Sequence, residues 1–113
     1  MVAAPYVPER GDLIWLEFSP QAGHEQAGRR PALVVSPRLY NERSSVALLC
    51  PVTSTPRGYA FEVVLPADSP VTGVVLSDQV RSLDWRARHA RFRGRAPRTV
   101  VAEVLEKART LLD

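Results

Sequence analysis

The stretch DLIWLEF, residues 12–18, indicates the fold class of this chain. Successive side chains of a β-strand point to opposite faces, so both faces can be read directly from the sequence. One face would carry Leu13, Trp15 and Glu17, and the other Ile14, Leu16 and Phe18. The segment is therefore expected to form a strand that keeps a charge on one face.

Further short apolar segments, separated by polar turns, extend this β pattern along the chain. Strands are expected in residues 31–37, in 45–53, in 60–65, in 73–83 (one or two) and around Phe92. Pro51 suggests that the second of these is an edge strand or contains a bulge. Residues 19–30 lack apolar periodicity and contain two Gly and a Pro, which favours a long polar loop.

Residues 97–112 have helical rather than strand periodicity. Their apolar side chains fall on one helical face: Val100, Val101, Val104, Leu105, Ala108, Leu111 and Leu112. Pro97 suits the first helical position. Several short strands followed by one helix predict a small, mostly antiparallel β-barrel with a C-terminal helix, formed as a single domain over residues 1–113.

Composition limits the possible functions. The chain has 113 residues and a net charge of +3, and its basic residues are fourteen Arg and one Lys. The Arg excess fits an anionic partner, and a genomic codon bias would explain it equally well. No apolar run approaches the ~20 residues that span a bilayer, and no signal peptide is recognisable, so a cytoplasmic protein without a membrane anchor is expected.

Known cofactor motifs are missing from the sequence. It contains no HExxH or CxxC metal motif and no GxxxxGK[ST] or GxGxxG phosphate loop, so neither a metal nor another cofactor is expected. Cys50, the single cysteine, lies in the apolar run VALLCPV and is expected in the core.

Two polar clusters are candidates for a chemical site. The loop holds His24, Glu25, Gln26, Arg29 and Arg30, which supply a possible base and an anion clamp or simply a solvated ion pair. The hydroxyls of residues 53–55 could bond a phosphate or merely close a turn.

Two further polar clusters have both a structural and a functional interpretation. Polar residues in 77–85 form a structural network or line a groove. Seven arginines lie between residues 81 and 98, and strand alternation would place Arg91, Arg93 and Arg95 on one face. That row would follow a phosphate backbone, or it would protect an edge strand from aggregation.

Five segments of the chain resemble the MazF/PemK family of toxin endoribonucleases. They are GDLIWLEFSP (11–20), GHEQAGRRPALVVSP (23–37), PVTS (51–54), GYAFEVVL (58–65) and LSDQVRSLDWRAR (76–88). The resemblance runs in order from about residue 6 to residue 112. It implies a small SH3-like barrel of antiparallel strands that works as a homodimer and cleaves single-stranded mRNA without a metal. It also implies a MazE-like antitoxin whose tail blocks the RNA groove.

The resemblance also implies roles for individual residues. The family's active-site arginine falls on Arg30 and its threonine on Thr53, while Glu25 matches a glutamate that acts as a base in some family descriptions. RNA-binding positions would be Phe18, Gln26, Arg29, Ser54, Gln79 and Arg81. His24 receives no role.

Two other functions compete with RNA cleavage. A gyrase-poisoning toxin of the CcdB type shares the fold, but it acts through a Trp-Gly-Ile chain end, whereas this sequence ends in TLLD. A non-catalytic RNA-binding barrel would need the arginines but not the EQAGRRP loop.

Overall fold

The structure is a computed structural model that describes residues 5–18 and 28–113. Within these ranges the chain forms seven strands and two helices. They are β1 (Asp12–Phe18), β2 (Gly28–Val34), α1 (Arg38–Ser44), β3 (Ala47–Thr53), β4 (Glu62–Val64), β5 (Val74–Leu76), β6 (Arg81–Leu83), β7 (Arg91–Arg95) and α2 (Arg98–Thr110). The predicted mainly β fold with a C-terminal helix is confirmed.

The strands pair antiparallel in the order β4-β5-β3-β2-β1-β7, with β6 also pairing with β3. On one side, β3 pairs first with β6, through Ala47–Leu49, and then with β5, through Val52 and Thr53. Pro51 lies where β3 passes from one neighbour to the other, so its missing N–H interrupts neither ladder. The edge-strand interpretation of Pro51 is therefore wrong, because β3 is an interior strand.

The core lies on both faces of the sheet. On one face, Leu13 packs in a cluster that includes Val100 and Val104 of α2. On the other face, Ile14 and Leu16 pack with Leu49, Leu83 and Trp85. Leu13, Ile14 and Leu16 have no exposed surface, and burial of each such side chain contributes about 1.5–3 kcal/mol.

Helix α2 uses only part of its predicted apolar face against the sheet. Val100 and Val104 are buried and Leu105 packs against them. Leu111 and Leu112 lie beyond the end of the helix and are 53% and 86% exposed, so this end of the apolar face does not pack against the sheet. No helix in the described ranges is long and apolar enough to cross a membrane.

Helix α1 has no counterpart in the sequence prediction, because it lacks an apolar stripe. It is anchored by Asn41, which is fully buried. The Asn41 amide donates to the carbonyls of Pro8 (2.8 Å) and Ser36 (3.1 Å). The backbone carbonyl of Asn41 accepts the Trp85 indole N–H at 3.0 Å. A buried network of hydrogen bonds, rather than an apolar helical face, therefore holds this helix in place.

Cys50 lies in the α2-side core with no exposed surface, as predicted. Burial, and to a smaller extent the nearby negative charge of Asp78, raises the pKa of its thiol to about 12. The thiol is therefore protonated and unreactive at neutral pH.

A β-bulge separates the arginines of β7. Arg95 lies opposite Asp12, but after the bulge Arg91 lies opposite Trp15, with Arg93 as the extra residue. Asp12 and Trp15 are on opposite faces of β1, so Arg91 and Arg95 are as well. The predicted row of three guanidiniums on one face is therefore wrong.

Arg95 is a structural residue. Its guanidinium donates to the Asp12 carboxylate at 2.7 Å and to the Arg10 carbonyl at 3.1 Å. Asp12 is only 2% exposed and also accepts bonds from the Tyr6 hydroxyl (2.5 Å) and the Glu9 N–H (3.0 Å). Burial, followed by the bond to Asp12, raises the pKa of Tyr6 well above its usual value, so this hydroxyl stays a donor.

Replacing Arg95 by Met should lower the free energy of unfolding by about 2 kcal/mol, because the buried Asp12 carboxylate loses its cationic partner. Urea denaturation measures this change. Arg93→Met is the matched control on the same strand, in no ion pair among the described residues, and should stay within about 0.5 kcal/mol of wild type. Equal losses in both variants would contradict the role of the Asp12 pair.

Candidate active site

Strand register brings Arg30 and Thr53 to the same face of the sheet. Ala32 of β2 lies opposite Pro51 of β3, and residues directly opposite in a ladder share a face. Arg30 comes two positions before Ala32, and Thr53 two positions after Pro51, so both side chains continue that face. Both border one cavity of about 420 Å³, together with Ser54 and Thr72.

Arg29 and Arg30 belong to β2 rather than to the predicted loop. Both residues are part of the strand because they pair with β1, where Arg29 lies opposite Glu17 and Arg30 opposite Leu16. The alternation of the strand places the two guanidiniums on opposite faces. Arg29 donates to the His89 carbonyl at 3.4 Å, whereas Arg30 lies on the face of Thr53. Both arginines border the cavity.

The Thr53 hydroxyl combines the two roles considered for it. Its oxygen accepts the Thr55 N–H at 3.2 Å, which closes the turn after β3. A hydroxyl carries one donor proton as well as its acceptor lone pairs. The turn therefore orients the hydroxyl and leaves its proton able to donate to an anion in the cavity.

Gly73 allows β5 to approach Thr53 closely. Its φ is +125°, and a Cβ built there would lie 2.2 Å from the Thr53 carbonyl oxygen. The next residue, Val74, pairs with Thr53. The backbone of Thr53 is thus held by a contact that only glycine permits.

The remaining RNA-binding candidates of the described ranges surround this pair. Thr53 also borders a second groove, of about 440 Å³, with Asp78 and Gln79. The Arg81 guanidinium lies 5.3 Å from the centre of the Phe18 ring, a cation–π contact. Arg81 lies opposite Leu49, which is on the face of Pro51 and Thr53. Glu25, Gln26 and His24 lie outside the described residues.

Sequence reasoning missed the turn at residues 84–90, which holds the end of β1. The Glu17 N–H donates to the Arg88 carbonyl at 2.8 Å, and the Arg88 guanidinium donates to the Glu17 carbonyl at 3.2 Å. His89 Nδ1 lies 3.3 Å from the Glu17 carboxylate. The Asp84 carboxylate accepts two backbone N–H groups of the turn, and an Asp at the start of a polar stretch is the signal that could have revealed it.

Known proteins are similar to this chain over most of its length. Residues 9–112 match the family described as "PemK-like, MazF-like toxin of type II toxin-antitoxin system". The chain belongs to this family. It is 50% identical over 101 residues to the endoribonuclease toxin MazF of Escherichia coli K12, covering 89% of this chain and 86% of that protein. Endoribonuclease PemK of Escherichia coli is 39% identical over 92% of this chain and 81% of its own length.

Solved structures of the family superpose on the whole fold. The MazE-MazF crystal structure (Form-II) from Deinococcus radiodurans matches with a TM-score of 0.90 and 57% identity, covering 96% of this chain and 97% of that one. A MazF structure (Form-I) from the same organism matches with a TM-score of 0.87. The arrangement of β1, β2 and β3 around Arg30 and Thr53 is therefore set in the fold of this toxin family.

For this family member, Gly73→Ala should lower the free energy of unfolding by at least about 3 kcal/mol, because the new Cβ collides with the Thr53 carbonyl. Gly58→Ala is the matched control. It places alanine at a φ of +79° with no atom within 4 Å and should cost only about 1 kcal/mol.

Urea denaturation gives both costs, and the NMR shifts of Thr53 report the local displacement. Gly73→Ala should move the Thr53 amide and methyl signals, whereas Gly58→Ala should leave them in place. Equal stability losses with unmoved Thr53 signals would contradict the contact.

Proposed function

We propose that this chain is the toxin of a type II toxin–antitoxin system and cleaves single-stranded mRNA without a metal ion. The observation that carries the proposal is the pairing of Arg30 with Thr53 on one face and in one cavity, in a member of a family whose named relatives are endoribonucleases. Inhibition of translation and growth, in the cytoplasm where mRNA is found, would follow from this activity.

Cleavage would proceed by attack of the ribose 2′-OH on the adjacent phosphorus. A bond forms between the 2′-oxygen and phosphorus, and the bond from phosphorus to the 5′-oxygen breaks. The products are a 2′,3′-cyclic phosphate, or the 3′-phosphate after its hydrolysis, and a 5′-hydroxyl end. The protein must remove one proton, stabilise charge on the phosphoryl oxygens and return a proton to the leaving oxygen.

Arg30, Thr53 and Glu25 divide these tasks. The planar fork of Arg30 is suited to two phosphoryl oxygens, and the Thr53 proton is available for a third contact. Glu25, three residues before β2 in the sequence, would take the 2′-OH proton. A guanidinium is a poor proton donor, so Thr53 or a water would relay the proton to the leaving 5′-oxygen while Arg30 acts as an electrostatic stabiliser.

RNA would approach along the surface that flanks this pair. Ser54 borders the Arg30 cavity, Gln79 borders the groove on the other side of Thr53, and Arg81 with Phe18 forms a stacked platform. Arg29, which borders the Arg30 cavity, and Gln26 would also contact the RNA. Bases of single-stranded RNA bind in this way, through stacking and through hydrogen bonds to their edges.

Two protein partners follow from the family. The antitoxin would be MazE-like, as in the MazE-MazF structures, with an acidic segment that folds into the RNA groove. The second partner is another copy of the chain. An apolar groove outside the core, which includes Tyr40, Leu48, Val80, Leu111 and Leu112, supports a homodimer through this face.

One experiment separates RNA cleavage from the two competing functions. Purified protein is incubated with single-stranded RNA in EDTA, and the products are mapped. Cuts at a repeated short motif support the proposal. Intact but retarded RNA would support a non-catalytic RNA-binding barrel. An absence of any interaction with RNA would favour a gyrase poison of the CcdB type, a possibility that family membership already weakens.

Arg30→Ala should lower the cleavage rate at least about a hundredfold while the fold stays intact, because a preorganised charge donor is lost. Arg29→Ala is the matched control. It removes the same charge from the border of the same cavity but from the opposite face of β2, away from the Thr53 hydroxyl, and it should mainly weaken RNA binding. Single-turnover kinetics with saturating enzyme measures both. Near wild-type cleavage by Arg30→Ala, or an equal rate loss in Arg29→Ala, would contradict the assignment.

Glu25→Gln tests the role of the carboxylate. If Glu25 is the base, the single-turnover rate should fall about a hundredfold, as for Arg30→Ala, with RNA affinity preserved. The pH profile of cleavage should also lose its acidic limb. A variant that loses affinity but keeps the rate at saturation would show that Glu25 only positions the RNA.

A further inference from the structure

The positive charge of the chain is concentrated in one segment. Residues 85–98 contain six arginines and no acidic residue. The rest of the chain holds nine basic and twelve acidic side chains, so outside this segment acidic residues outnumber basic ones. The net charge of +3 therefore describes a local basic surface on an otherwise acidic protein.

The arginines of this segment have different environments. Arg95 is bonded to the buried Asp12, Arg86 lies over the Trp85 ring at 4.8 Å, and Arg88 donates to the Glu17 carbonyl. Arg91 and Arg93 are exposed on β7, and no carboxylate of residues 5–18 or 28–113 pairs with either of them. These two guanidiniums therefore take part in no ion pair that would stabilise the described part of the fold.

The bulge in β7 places Arg91 beside residues that border the candidate active site from the face opposite to Arg30. Arg91 lies opposite Trp15, so it is on the face of β1 to which Trp15 belongs. Trp15 lies opposite Pro31 of β2, and both border the cavity of Arg30 and Thr53. Only β1 separates β7 from β2, so the two backbones are about 10 Å apart, within reach of an extended arginine. Arg91 therefore approaches the cavity from the side of Trp15 and Pro31, the face that also carries Arg29.

We propose that Arg91 and Arg93 bind phosphates of RNA nucleotides that flank the one being cleaved, on the β7 side of the cavity. This inference rests on the proposed RNA cleavage. Guanidiniums pair with phosphate oxygens through two parallel hydrogen bonds, and unpaired exposed ones gain most from a polyanion. The surface extends the site from β2 across β1 to β7 and assigns a function to part of the arginine excess.

Substrate length and salt test the proposal. The double variant Arg91→Gln/Arg93→Gln is compared with wild type on an RNA of about 20 nucleotides and on one of about 4 nucleotides centred on the same cut. With the long RNA at roughly 0.1 M salt, kcat/KM should fall at least about tenfold, mainly through KM. The slope of log kcat/KM against log salt should become shallower by about 1.4, which corresponds to two contacts of about 0.7 each.

The short RNA and two control variants complete the design. The double variant should cleave the short RNA as wild type does. Arg38→Gln/Arg43→Gln removes the same charge from α1 and should leave the salt slope for the long RNA unchanged. Arg91→Lys/Arg93→Lys keeps the charge and should retain most of the slope.

Three kinds of result would overturn the proposal, and a fourth would overturn the function on which it rests. An unchanged long-RNA slope, or an equal change in the helix control, shows that these arginines do not bind RNA. Equal losses on long and short RNA place them in the cleavage step instead. Unchanged RNA kinetics with weakened inhibition by an acidic antitoxin peptide assigns the surface to a protein. If wild type cleaves neither RNA in EDTA, the proposed function itself is wrong.

Discussion

The register of three antiparallel strands is the constraint on which the site depends. β2 is paired with β1 on one side and with β3 on the other, and the apolar faces of β1 are buried in two cores. A slip of one residue would turn every side chain of a strand to the other face and would remove Leu13 or Leu33 from the core in which it packs. The cost of that lost packing holds Arg30 and Thr53 on one face. Hydrophobic packing thereby positions two polar side chains that are not themselves part of either core.

Much of the fold could be predicted from periodicity, and the exceptions have physical causes. The strand at residues 12–18, the C-terminal helix and the buried Cys50 follow from hydrophobic patterns. Helix α1 does not, because the buried amide of Asn41 holds it. The bulge that divides Arg91 from Arg95 depends on pairing between distant strands, which local sequence does not encode.

The candidate site was predictable in its composition but not in its arrangement. Arg30 and Thr53 were recognisable from the segments that resemble the toxin family. Their common face, however, depends on the β2–β3 register. The opposite orientation of Arg29 follows from the extension of β2 to Gly28, where the sequence suggested a loop. The arginine excess likewise divides by environment. Arg95 stabilises a buried carboxylate, Arg30 faces the cavity, and Arg91 and Arg93 remain exposed on the edge.

Metal-free attack by the ribose 2′-OH is tested most directly by a single-atom change in the substrate. An RNA with one 2′-deoxy nucleotide at the mapped cut keeps every phosphate and base that the protein would contact but lacks the nucleophile. In EDTA this RNA should bind as the unmodified RNA does and remain uncut at that position, while the unmodified RNA gives 2′,3′-cyclic phosphate and 5′-hydroxyl ends. Cleavage of the 2′-deoxy RNA at the same bond would contradict the mechanism, because a water or a protein side chain would then have to be the nucleophile.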